Sequence, residues 1–542
     1  MKAFTKLYDE LDSTTSTNEK ITALKKYFTN APADDAMWAV LILTSRISKR
    51  VLTSRSLRES FLRITKYSNW LYEESYSQVG DTAETLSLLL QSLDLARHES
   101  IAPGETSDKS LSNWLEVDIP ELAKIKDEDQ RAEKLLSFWK ELTPLEIFIL
   151  NKLMTGGFRV GVSEKSVVRA LSEVFNLETD QVSHRLTGAT DPGAENFKRL
   201  ISKEKLESLP SQPYPFCLAY AWSERTEKDW DSQRWCIEWK YDGIRSQIIR
   251  RAGAIWIWSR GEDDISVSFP DIAELFAALP DGTVLDGEIV IIKDDQIQSF
   301  QELQKRLGRK KVSALTLKNT PAAFIAYDCL ETGHEDIRQI SLRERKQILE
   351  KLMTPLLSKK IRLSPTLNAE NPEQVEDLRA LSREKQAEGV MIKDWSSSYP
   401  VGRKTGYWWK NKVDPLTLDA VLLYAQAGTG RRANLYTDYT FALWSENKEL
   451  IPFAKAYSGL DQDEINQLDY WIRRHTKEKF GPVRSLEPFH VFEIGFEGIA
   501  ASNRHKSGIA VRFPRILRWR KDKKFDEADH LTTAFKLLDG TP

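Results

Sequence analysis

One lysine in the chain lies in a setting that suits nucleophilic chemistry. Lys240 stands in the run EWKYDGIR (238–245), with carboxylates two residues to either side, at Glu238 and Asp242, and with Arg245 close behind. A nucleophilic lysine must give up its proton near neutral pH, and partial burial together with nearby cations favours the neutral amine. Such an amine can form a covalent intermediate. The run therefore predicts a catalytic lysine; the alternative is a strand that ends in a charged turn.

Three further residues follow this lysine, each in a setting that suits nucleotide binding. Arg260, in SRG (259–261), is predicted at the end of a strand, where a guanidinium can meet a phosphate or a hydroxyl. Glu288, in LDGE (285–288), is predicted where one strand ends and another begins, and its carboxylate can bind ribose hydroxyls or a hard cation. Tyr327 lies in an apolar strand and offers a flat ring to a purine. Taken singly, each has a simpler explanation: a solvated arginine, a hairpin turn and a core tyrosine.

Two later segments add a carboxylate and a pair of ammonium groups. In EGVMIK (388–393), Glu388 precedes a predicted tight turn and a buried strand. Lys410 and Lys412 alternate along a predicted strand that begins with two tryptophans, so both ammonium groups lie on one face. Such a face suits the neutralisation of a phosphate.

The C-terminal run RFPRILRWRKDKK (512–524) has seven cations in thirteen residues. A charge run is usually a solvated face. This one resembles the motif RFPR-x-x-R-x-R-x-DK of ATP-dependent DNA ligases, and the preceding segments resemble, in order, the motifs of the covalent nucleotidyltransferases. The N-terminal segments FTKLYDELDSTTSTNEK (4–20) and GGFRVGVSEKSVVRAL (156–171) are similar to the helical DNA-binding domain of the same ligases. GTGRR (428–432) and FEGI (496–499) resemble their barrel motifs.

Other members of the superfamily fit the sequence less well. RNA ligases and capping enzymes lack the N-terminal helical domain. NAD-dependent DNA ligases have a cysteine zinc module, which the three scattered cysteines Cys217, Cys236 and Cys329 cannot supply. A catalytically silent DNA-binding protein that keeps the fold is a third hypothesis, which the intact charged motifs oppose.

The resemblance implies an enzyme that seals nicks between a 3′-hydroxyl and a 5′-phosphate in duplex DNA, with ATP as donor and Mg²⁺ as metal. AMP would be carried first on Lys240 and then on the 5′-phosphate. Glu238 would accept a hydrogen bond from the adenine amine, and Tyr327 would stack on the ring. The implied nucleotide-binding residues are Glu238, Arg245, Arg260, Glu288, Tyr327, Lys404, Lys410, Lys412, Arg520 and Lys523, and the implied metal ligands are Glu288 and Glu388.

The resemblance also distributes roles among the charged residues. The ribose and its phosphate would be held by Arg245, Arg260 and Glu288; the α-phosphate would be neutralised by Lys410 and Lys412; the departing pyrophosphate would be oriented by Arg520, Asp522 and Lys523; and DNA phosphates would be held by Arg159, Lys165 and Arg169.

One position departs from the family. The family usually has arginine six residues before the first lysine of its last central motif, whereas this chain has Lys404, preceded by Arg403. Lysine cannot form the bidentate fork of a guanidinium. Which of the two residues contacts AMP is left open by the sequence.

The elements that carry these residues change in character along the chain. Apolar spacing near i, i+3, i+4 predicts helices over residues 1–205. Three prolines within six residues near 208–215 predict a linker, after which short β-branched runs predict an α+β domain over 206–413. The resemblance implies that this is the adenylyltransferase domain. Residues 414–542 are predicted to be a β-barrel of the oligonucleotide-binding (OB) type, with a helix over 463–480. A hinge is predicted at 413–415, so that the barrel can close over ATP and then release it.

Length and composition limit the remaining choices. A chain of 542 residues is too long for one core. Its formal net charge of −2 excludes a globally basic coat but not local clusters of cations aimed at phosphates. Three cysteines without a C-x-x-C pair argue against a disulfide scaffold, and no segment has transmembrane length. These features predict a cytoplasmic protein that binds no membrane, and the resemblance implies a monomeric enzyme that binds nicked duplex DNA.

Overall fold

The computed structural model of the protein describes residues 1–14, 16–47, 50–91, 107–187, 191–204, 209–225, 230–309, 311–428, 435–480 and 483–539. Contacts divide the chain into two compact units. The first comprises Met1–Ala170, Asp191–Phe197 and Pro415–Thr541, and the second comprises Leu171–Thr190 and Lys198–Asp414. The division into three domains, with boundaries after residues 205 and 413, stays a prediction.

The N-terminal part of the chain is helical, as its apolar spacing predicts. The helix Pro144–Thr155 illustrates the local signals: Thr143 and Glu146 exchange capping hydrogen bonds at its start, and Gly156 ends it with a φ of 68°. The segment APG (102–104), whose proline and glycine predict a loop between helices, lies outside the described residues. The helices are Lys2–Asp12, Thr17–Asn30, Ala33–Leu43, Ser54–Thr65, Asn69–Val79, Thr82–Gln91, Leu111–Asn113 with a π-helical turn at Trp114–Asp118, Ile119–Lys124, Glu128–Lys140, Pro144–Thr155, Glu164–Phe175, Thr179–Leu186 and Ala194–Leu200.

Two sheets carry the central motifs in the second unit. The strands are β1 (Cys217–Leu218), β2 (Tyr220–Ala221), β3 (Trp235–Tyr241), β4 (Ile244–Arg251), β5 (Ala254–Ser259), β6 (Thr283–Lys293), β7 (Gln296–Ile297), β8 (Ala322–Thr332), β9 (Glu335–Asp336), β10 (Ile361–Leu363), β11 (Ala387–Asp394), β12 (Gly402–Arg403) and β13 (Trp408–Lys412). One sheet has the order β10-β8-β6-β4-β5, with β7 on β6 and β9 on β8. The other has the order β2-β13-β11-β3.

Helices cover the larger of these sheets and close its core. Ile248, Leu285 and Phe324 of the sheet are fully buried and share one apolar cluster with Leu349. Leu349 belongs to an amphipathic helix whose other face carries charged residues, the pattern of a helix packed on a sheet. The helices of this unit after residue 209 are Pro270–Leu275, Phe300–Gln304, Ala314–Asn319, Leu342–Met353 and Pro372–Leu381.

Two glycines that the sequence predicts at strand ends or turns lie inside strands instead. The LDGE segment does not join two strands but lies within β6, where a Cβ on Gly287 would stand 2.3 Å from Phe324 Cζ and 2.6 Å from the Ile325 carbonyl oxygen. Gly389 lies within β11, where a Cβ would stand 2.1 Å from the Asn411 carbonyl oxygen. Both predictions were wrong because a glycine required by a close neighbouring strand has the same sequence signal as a glycine in a turn.

The proline-rich segment predicted as a linker is packed into the second unit. Gln212 and Tyr214 are buried, and the backbone of Tyr214 exchanges two hydrogen bonds of 2.8 Å with the Gln247 side chain. Arg251 donates a 2.8 Å hydrogen bond to the Gln212 carbonyl. Because proline has no N–H, such a segment can be buried with few donors left to satisfy. Residues 212–215 are therefore buried in the second unit, whereas Leu209 and Pro210 are exposed, and the linker stays a prediction.

The C-terminal part of the first unit is β-rich. Its strands are β14 (Leu416–Ala427), β15 (Tyr436–Trp444), β16 (Leu450–Ala456), β17 (Thr476–Phe480), β18 (Val483–Leu486), β19 (Val491–Phe496), β20 (Gly498–Ala501), β21 (Ile509–Arg512) and β22 (Arg515–Trp519), with helices Gln462–Arg474 and Leu531–Asp539. The main sheet has the order β16-β15-β14-β18-β17, β19 joins β14 to β22, and β20 pairs with β21.

The helix predicted over 463–480 is shorter than expected. It ends at Arg474, and the following residues form β17 against β18. Leu468 and Ile472 are the buried apolar positions of the helix, whereas most of β17 is exposed. The apolar spacing that supports a helix thus stops before the charged residues that the prediction included. In the described part of the chain, no helix has the length and apolar character needed to cross a membrane.

Candidate active site

Lys240 is paired with a carboxylate on the neighbouring strand. It lies on β3, which runs antiparallel to β11, and its Nζ contacts Glu388 Oε1. The second oxygen of Glu388 lies 2.9 Å from Lys412 Nζ on β13. Burial alone would raise the pKa of Glu388, but the ammonium groups of Lys240 and Lys412 hold it below the usual value. Glu388 therefore stays ionised and links the two lysines.

Glu288 has a contrasting environment a short distance away in the same unit. It lies on β6 opposite Arg245 in the ladder between β4 and β6. Neither a hydrogen bond nor an ion pair reaches its side chain from the described residues, and its carboxyl group is half-buried. Burial raises the pKa of Glu288 to about 8, although the cations of Lys240 and Arg245 oppose the increase. Its carboxyl group therefore has coordination capacity that the described residues do not use.

Several cations converge on Lys410. Burial lowers the pKa of Lys410, and the positive charges of Arg403, Lys240, Lys412 and Arg260 lower it further. The structure thus brings these predicted cations together in a region of positive potential suited to bind phosphates. Arg260 lies just after β5, as predicted, with its side chain exposed.

The two basic residues between which the sequence could not choose have different surroundings. Arg403 is exposed at the end of β12 and acts on Lys410 more strongly than any other cation does. The ammonium of Lys404 lies 4.5 Å from the centre of the Tyr407 ring, and it lowers the pKa of the Tyr407 hydroxyl.

Glu238 is held by two lysines. It is 1 % exposed, and its two oxygens lie 2.6 Å from Lys346 Nζ and 2.6 Å from Lys393 Nζ. Burial would raise the pKa of Glu238, but both ammonium groups hold it below the usual value. Sequence reasoning missed Lys346, because its helix lies about a hundred residues away and nothing in that helix predicts a ligand.

Tyr327 is partly exposed on β8, with a cation against its ring. Lys393 Nζ lies 4.4 Å from the ring centre and also 4.3 Å from the ring centre of Trp408. Lys393 contacts both Tyr327 and Glu238, so the predicted stacking residue lies close to the buried carboxylate. An aromatic ring next to a buried carboxylate suits the binding of a purine that carries an amine.

Arg245 is committed to protein partners. Its guanidinium donates to Asp286 at 2.7 and 3.3 Å, to the Cys217 carbonyl at 2.6 Å and to the Tyr399 hydroxyl at 3.1 Å. Asp286 is fully buried, and Tyr399 also donates to it at 2.7 Å. These contacts fix β4 against β6 beside Glu288. Sequence reasoning assigned Arg245 to the ribose and phosphate and did not foresee Asp286 and Tyr399 as its partners.

Arg520 and Lys523 belong to the other compact unit and share one carboxylate there. Arg520 donates to Asp419 at 2.7 Å and to the exposed Asp522, and Lys523 donates to Asp419 at 2.6 Å. Asp419 is buried on β14. A single acidic residue within an apolar strand was the sequence signal for this anchor, and it was missed.

The predicted DNA-contacting residues lie where the sequence places them. Arg159 is in the loop before the helix Glu164–Phe175, Lys165 and Arg169 are on that helix, and all three are exposed. The barrel motif GTGRR lies outside the described residues after its first glycine. In FEGI, Glu497 pairs with Arg515 at 2.9 Å.

Comparisons with known proteins identify families and relatives that this chain resembles. The family profile described as "ATP dependent DNA ligase domain" matches residues 218–412, "DNA ligase N terminus" matches 1–172, and "ATP dependent DNA ligase C terminal region" matches 432–523. The "Probable DNA ligase" of Koribacter versatilis (strain Ellin345) is 30% identical over 564 residues, which cover 98% of this chain and 96% of that protein. The "DNA ligase" of Natronomonas pharaonis is 29% identical and covers 85% of this chain and 84% of its own length. The solved structure named "Pmar-Lig_PreS3" is similar in fold, with a TM-score of 0.60, 16% identity, and coverage of 95% of this chain and 99% of its own.

Proposed function

Because this chain belongs to the family of ATP-dependent DNA ligases, we propose that Lys240 is the residue on which it carries AMP while it seals a nick. The observation that carries the proposal is the contact of Lys240 with Glu388 beside the cations around Lys410. The neutral Nζ attacks the α-phosphorus of ATP, an N–P bond forms, and the bond to the bridging oxygen breaks as pyrophosphate leaves. AMP then moves to the 5′-phosphate, from which the 3′-hydroxyl displaces it.

Glu388 is our candidate for the proton acceptor in the first step. The Lys240 amine must lose a proton before it can attack, and the ionised Glu388 oxygen is in contact with it. Lys410 and Lys412 neutralise the α-phosphate, and Arg260 contacts the adjacent phosphate or ribose. Little bond chemistry is asked of these groups, since positioning and charge neutralisation carry most of a phosphoryl transfer.

The family usually has an arginine that contacts AMP at the position of Lys404 in this chain. We assign that contact to Arg403 rather than to Lys404. Arg403 is the cation that acts most strongly on Lys410, whereas Lys404 lies over the Tyr407 ring. A guanidinium also supplies the bidentate fork that the family's arginine provides. The neighbouring arginine would thus replace the missing one.

Adenine recognition falls to Glu238 and Tyr327 in this proposal. An ionised carboxylate only accepts hydrogen bonds, so Glu238 fits the amine of adenine. Tyr327 stacks on the ring. Arg245, with its guanidinium engaged by Asp286, acts mainly by holding the strands that carry Glu288.

A magnesium ion fits the carboxylate end of the site. Glu288 is a carboxyl group without an ion pair to the described residues, and burial raises its pKa, so a bound cation would stabilise its ionised form. The described residues contain no group of three or more ligating side chains, so the protein would supply one or two carboxylates and the phosphates the rest. Glu288 and, once Lys240 has moved away, Glu388 would hold the ion. When bound, the ion neutralises charge on the phosphates.

The remaining assignments concern the rest of the chain. We propose that the C-terminal β-rich region is an OB-fold whose cations Arg520 and Lys523 orient pyrophosphate, with a hinge at 413–415. The helical region binds duplex DNA through phosphates, with Arg159 among its contacts. The enzyme acts as a monomer, and its three unpaired cysteines fit a cytoplasmic location.

Incubation of the protein with α-labelled ATP and magnesium, followed by denaturing electrophoresis, tests the first step. Label should remain on the wild type and on Lys359→Ala, a matched lysine control whose side chain is 85% exposed, but not on Lys240→Ala. Pyrophosphate treatment beforehand removes any AMP already bound. Label retained by Lys240→Ala would overturn the proposal.

A nicked DNA duplex tests the later steps. The wild type should join a 5′-phosphorylated nick with ATP and magnesium, and Lys240→Ala should join only a nick that already carries AMP on its 5′-phosphate. Failure of the wild type on both substrates would contradict nick sealing, whatever the outcome of the labelling experiment.

A further inference from the structure

A lysine outside the nucleotidyl-transfer motifs has a defined place beside the base-recognition carboxylate. Lys346 lies on the helix Leu342–Met353, and its side chain is 13% exposed. Its Nζ lies 2.6 Å from Glu238 Oε1 and donates a hydrogen bond to that oxygen. None of the family motifs quoted above contains this residue.

Lys393, the second cation on Glu238, is fixed by the sheet itself. It lies on β11, is 2% exposed, and is packed between the rings of Tyr327 and Trp408. Its position is therefore set by strand register and aromatic packing. Lys346, on the helix, holds the other oxygen of Glu238 and so limits the rotation of its carboxylate.

One oxygen of Glu238 keeps acceptor capacity. Oε2 forms an ion pair with Lys393 Nζ at 2.6 Å, and this buried oxygen has no further partner among the described residues. A buried carboxylate oxygen with an open acceptor direction is costly unless a ligand supplies a donor. An amine on a purine ring is such a donor.

We propose that Lys346 is a positioning residue that sets the preference of this site for a purine with a 6-amino group over one with a 6-oxo group or none. The inference rests on the proposed function, in which Glu238 contacts the base. Lys346 occupies Oε1 and so directs Oε2 towards the ligand. It also keeps the carboxylate ionised and acceptor-only, so that a 6-oxo group meets repulsion instead of a hydrogen bond.

Loss of the Lys346–Glu238 contact should reduce the efficiency of adduct formation by different amounts with different nucleotides. Without Lys346, Glu238 can rotate towards Lys393, and the hydrogen bond to the 6-amino group weakens. A nucleotide without that amine has no such hydrogen bond to lose. The variant should therefore lose efficiency with ATP much more than with purine riboside 5′-triphosphate, which lacks the 6-amino group.

The experiment measures formation of the covalent nucleotidyl-protein adduct by mass spectrometry of the intact full-length chain, with ATP, purine riboside triphosphate or GTP. The variants are Lys346→Met, Lys346→Arg as a charge-keeping rescue, and Lys351→Met as a control. Lys351 is an exposed lysine of the same helix. Each protein is compared by kcat/KM for adduct formation after pyrophosphate treatment, and its thermal unfolding is recorded.

For Lys346→Met we expect the ratio of kcat/KM for ATP to that for purine riboside triphosphate to fall about 10-fold, chiefly through KM for ATP, which corresponds to about 1.4 kcal/mol. GTP should gain relative to ATP. Lys346→Arg should restore most of the ratio, and Lys351→Met should match the wild type. These outcomes separate a role in base selection from a general loss of structure.

Two results would overturn the inference. An equal loss with ATP and with the nucleotide that lacks the amine would mean that Lys346 supports the fold only, and an unchanged ratio would mean that it does not position Glu238. If Lys346→Met unfolds, Lys346→Gln takes its place, because an uncharged amide keeps a hydrogen-bond donor beside Glu238 but removes the positive charge and should lower the same ratio. Absence of any adduct on the wild type would instead contradict the proposed function.

Discussion

Glu238 and Glu288 are two acidic residues of the same compact unit, one buried and one half-buried, with different electrostatic surroundings. Glu238 has two ammonium partners at 2.6 Å, and its pKa lies below the usual value. Glu288 has no ion pair with the described residues, and burial raises its pKa to about 8. The residue type is the same, so the difference comes from cations supplied by other elements. One carboxylate is prepared to accept a hydrogen bond and the other to receive a positive charge.

Removing each charge should therefore have opposite consequences for stability. Glu238→Gln leaves the ammonium groups of Lys346 and Lys393 buried without their counter-charge, and we expect a loss of about 3–5 kcal/mol. Glu288→Gln removes a carboxyl group that has no ion pair to lose and whose ionisation is disfavoured by burial, so at neutral pH the variant should be more stable than the wild type.

Urea unfolding followed by tryptophan fluorescence checks both variants, with the midpoint of the transition as the quantity compared, since a chain with several cores need not unfold in two states. Equal midpoints for the two variants would break the comparison.

Glu288→Gln should impair the activity of the protein although it does not impair its stability. Glu288→Gln keeps the fold but removes the carboxylate that we assign to the metal, so adenylate formation at saturating ATP should fall about 10²–10³-fold. Single-turnover labelling across a magnesium titration measures this. Near-normal rates at every magnesium concentration would show that Glu288 does not take part.

The two residues should also respond to pH with opposite sign. Glu238 has a lowered pKa in the folded protein, so its contribution to stability is present above the unfolded value near 4.5 and is lost as pH falls through the folded value. Glu288 has a raised pKa, so its contribution is present below about 4.5 and is lost as pH rises towards about 8.

Measurement of unfolding midpoints from pH 5 to pH 9 in the absence of metal tests this difference. The stability of Glu288→Gln relative to the wild type should increase with pH over that window. A constant difference would contradict the raised pKa of Glu288.

The smallest expected effect concerns the two neighbouring basic residues. Arg403→Met should slow adenylate formation about 10-fold, because the residue acts on the cations that bind phosphate, while Lys404→Met should change it less than about twofold. Single-turnover rates at saturating ATP measure both. A larger loss of rate for Lys404→Met than for Arg403→Met would mean that Lys404, not Arg403, contacts AMP.

The sequence predicts the strands that carry several motif residues, because the pattern of each strand is local. Lys240, Lys410 and Lys412 lie on the strands that alternation predicts, and the pairing of β3, β11 and β13 brings them together. The strand from Ala254 to Ser259 ends at the predicted residue. For these strands, the alternation of side chains within a short segment is sufficient to predict the secondary structure.

The partners of those residues could not be predicted in the same way. Lys346 and Tyr399 reach the site from elements far along the chain, and neither lies in a segment whose pattern indicates a ligand. Asp419 lies about a hundred residues before the cations it binds. Gly287 and Gly389 were misread, because close packing of strands and a turn both demand glycine. Such contacts depend on the tertiary fold.

The most direct test of the central claim is tandem mass spectrometry of peptides from the protein after incubation with ATP and magnesium and digestion under alkaline conditions. The account predicts AMP on the peptide that contains Lys240, joined through the side-chain nitrogen, and its loss after treatment with pyrophosphate. AMP on Lys410 or Lys412, or no adduct on any peptide from a protein that still seals nicks, would contradict it.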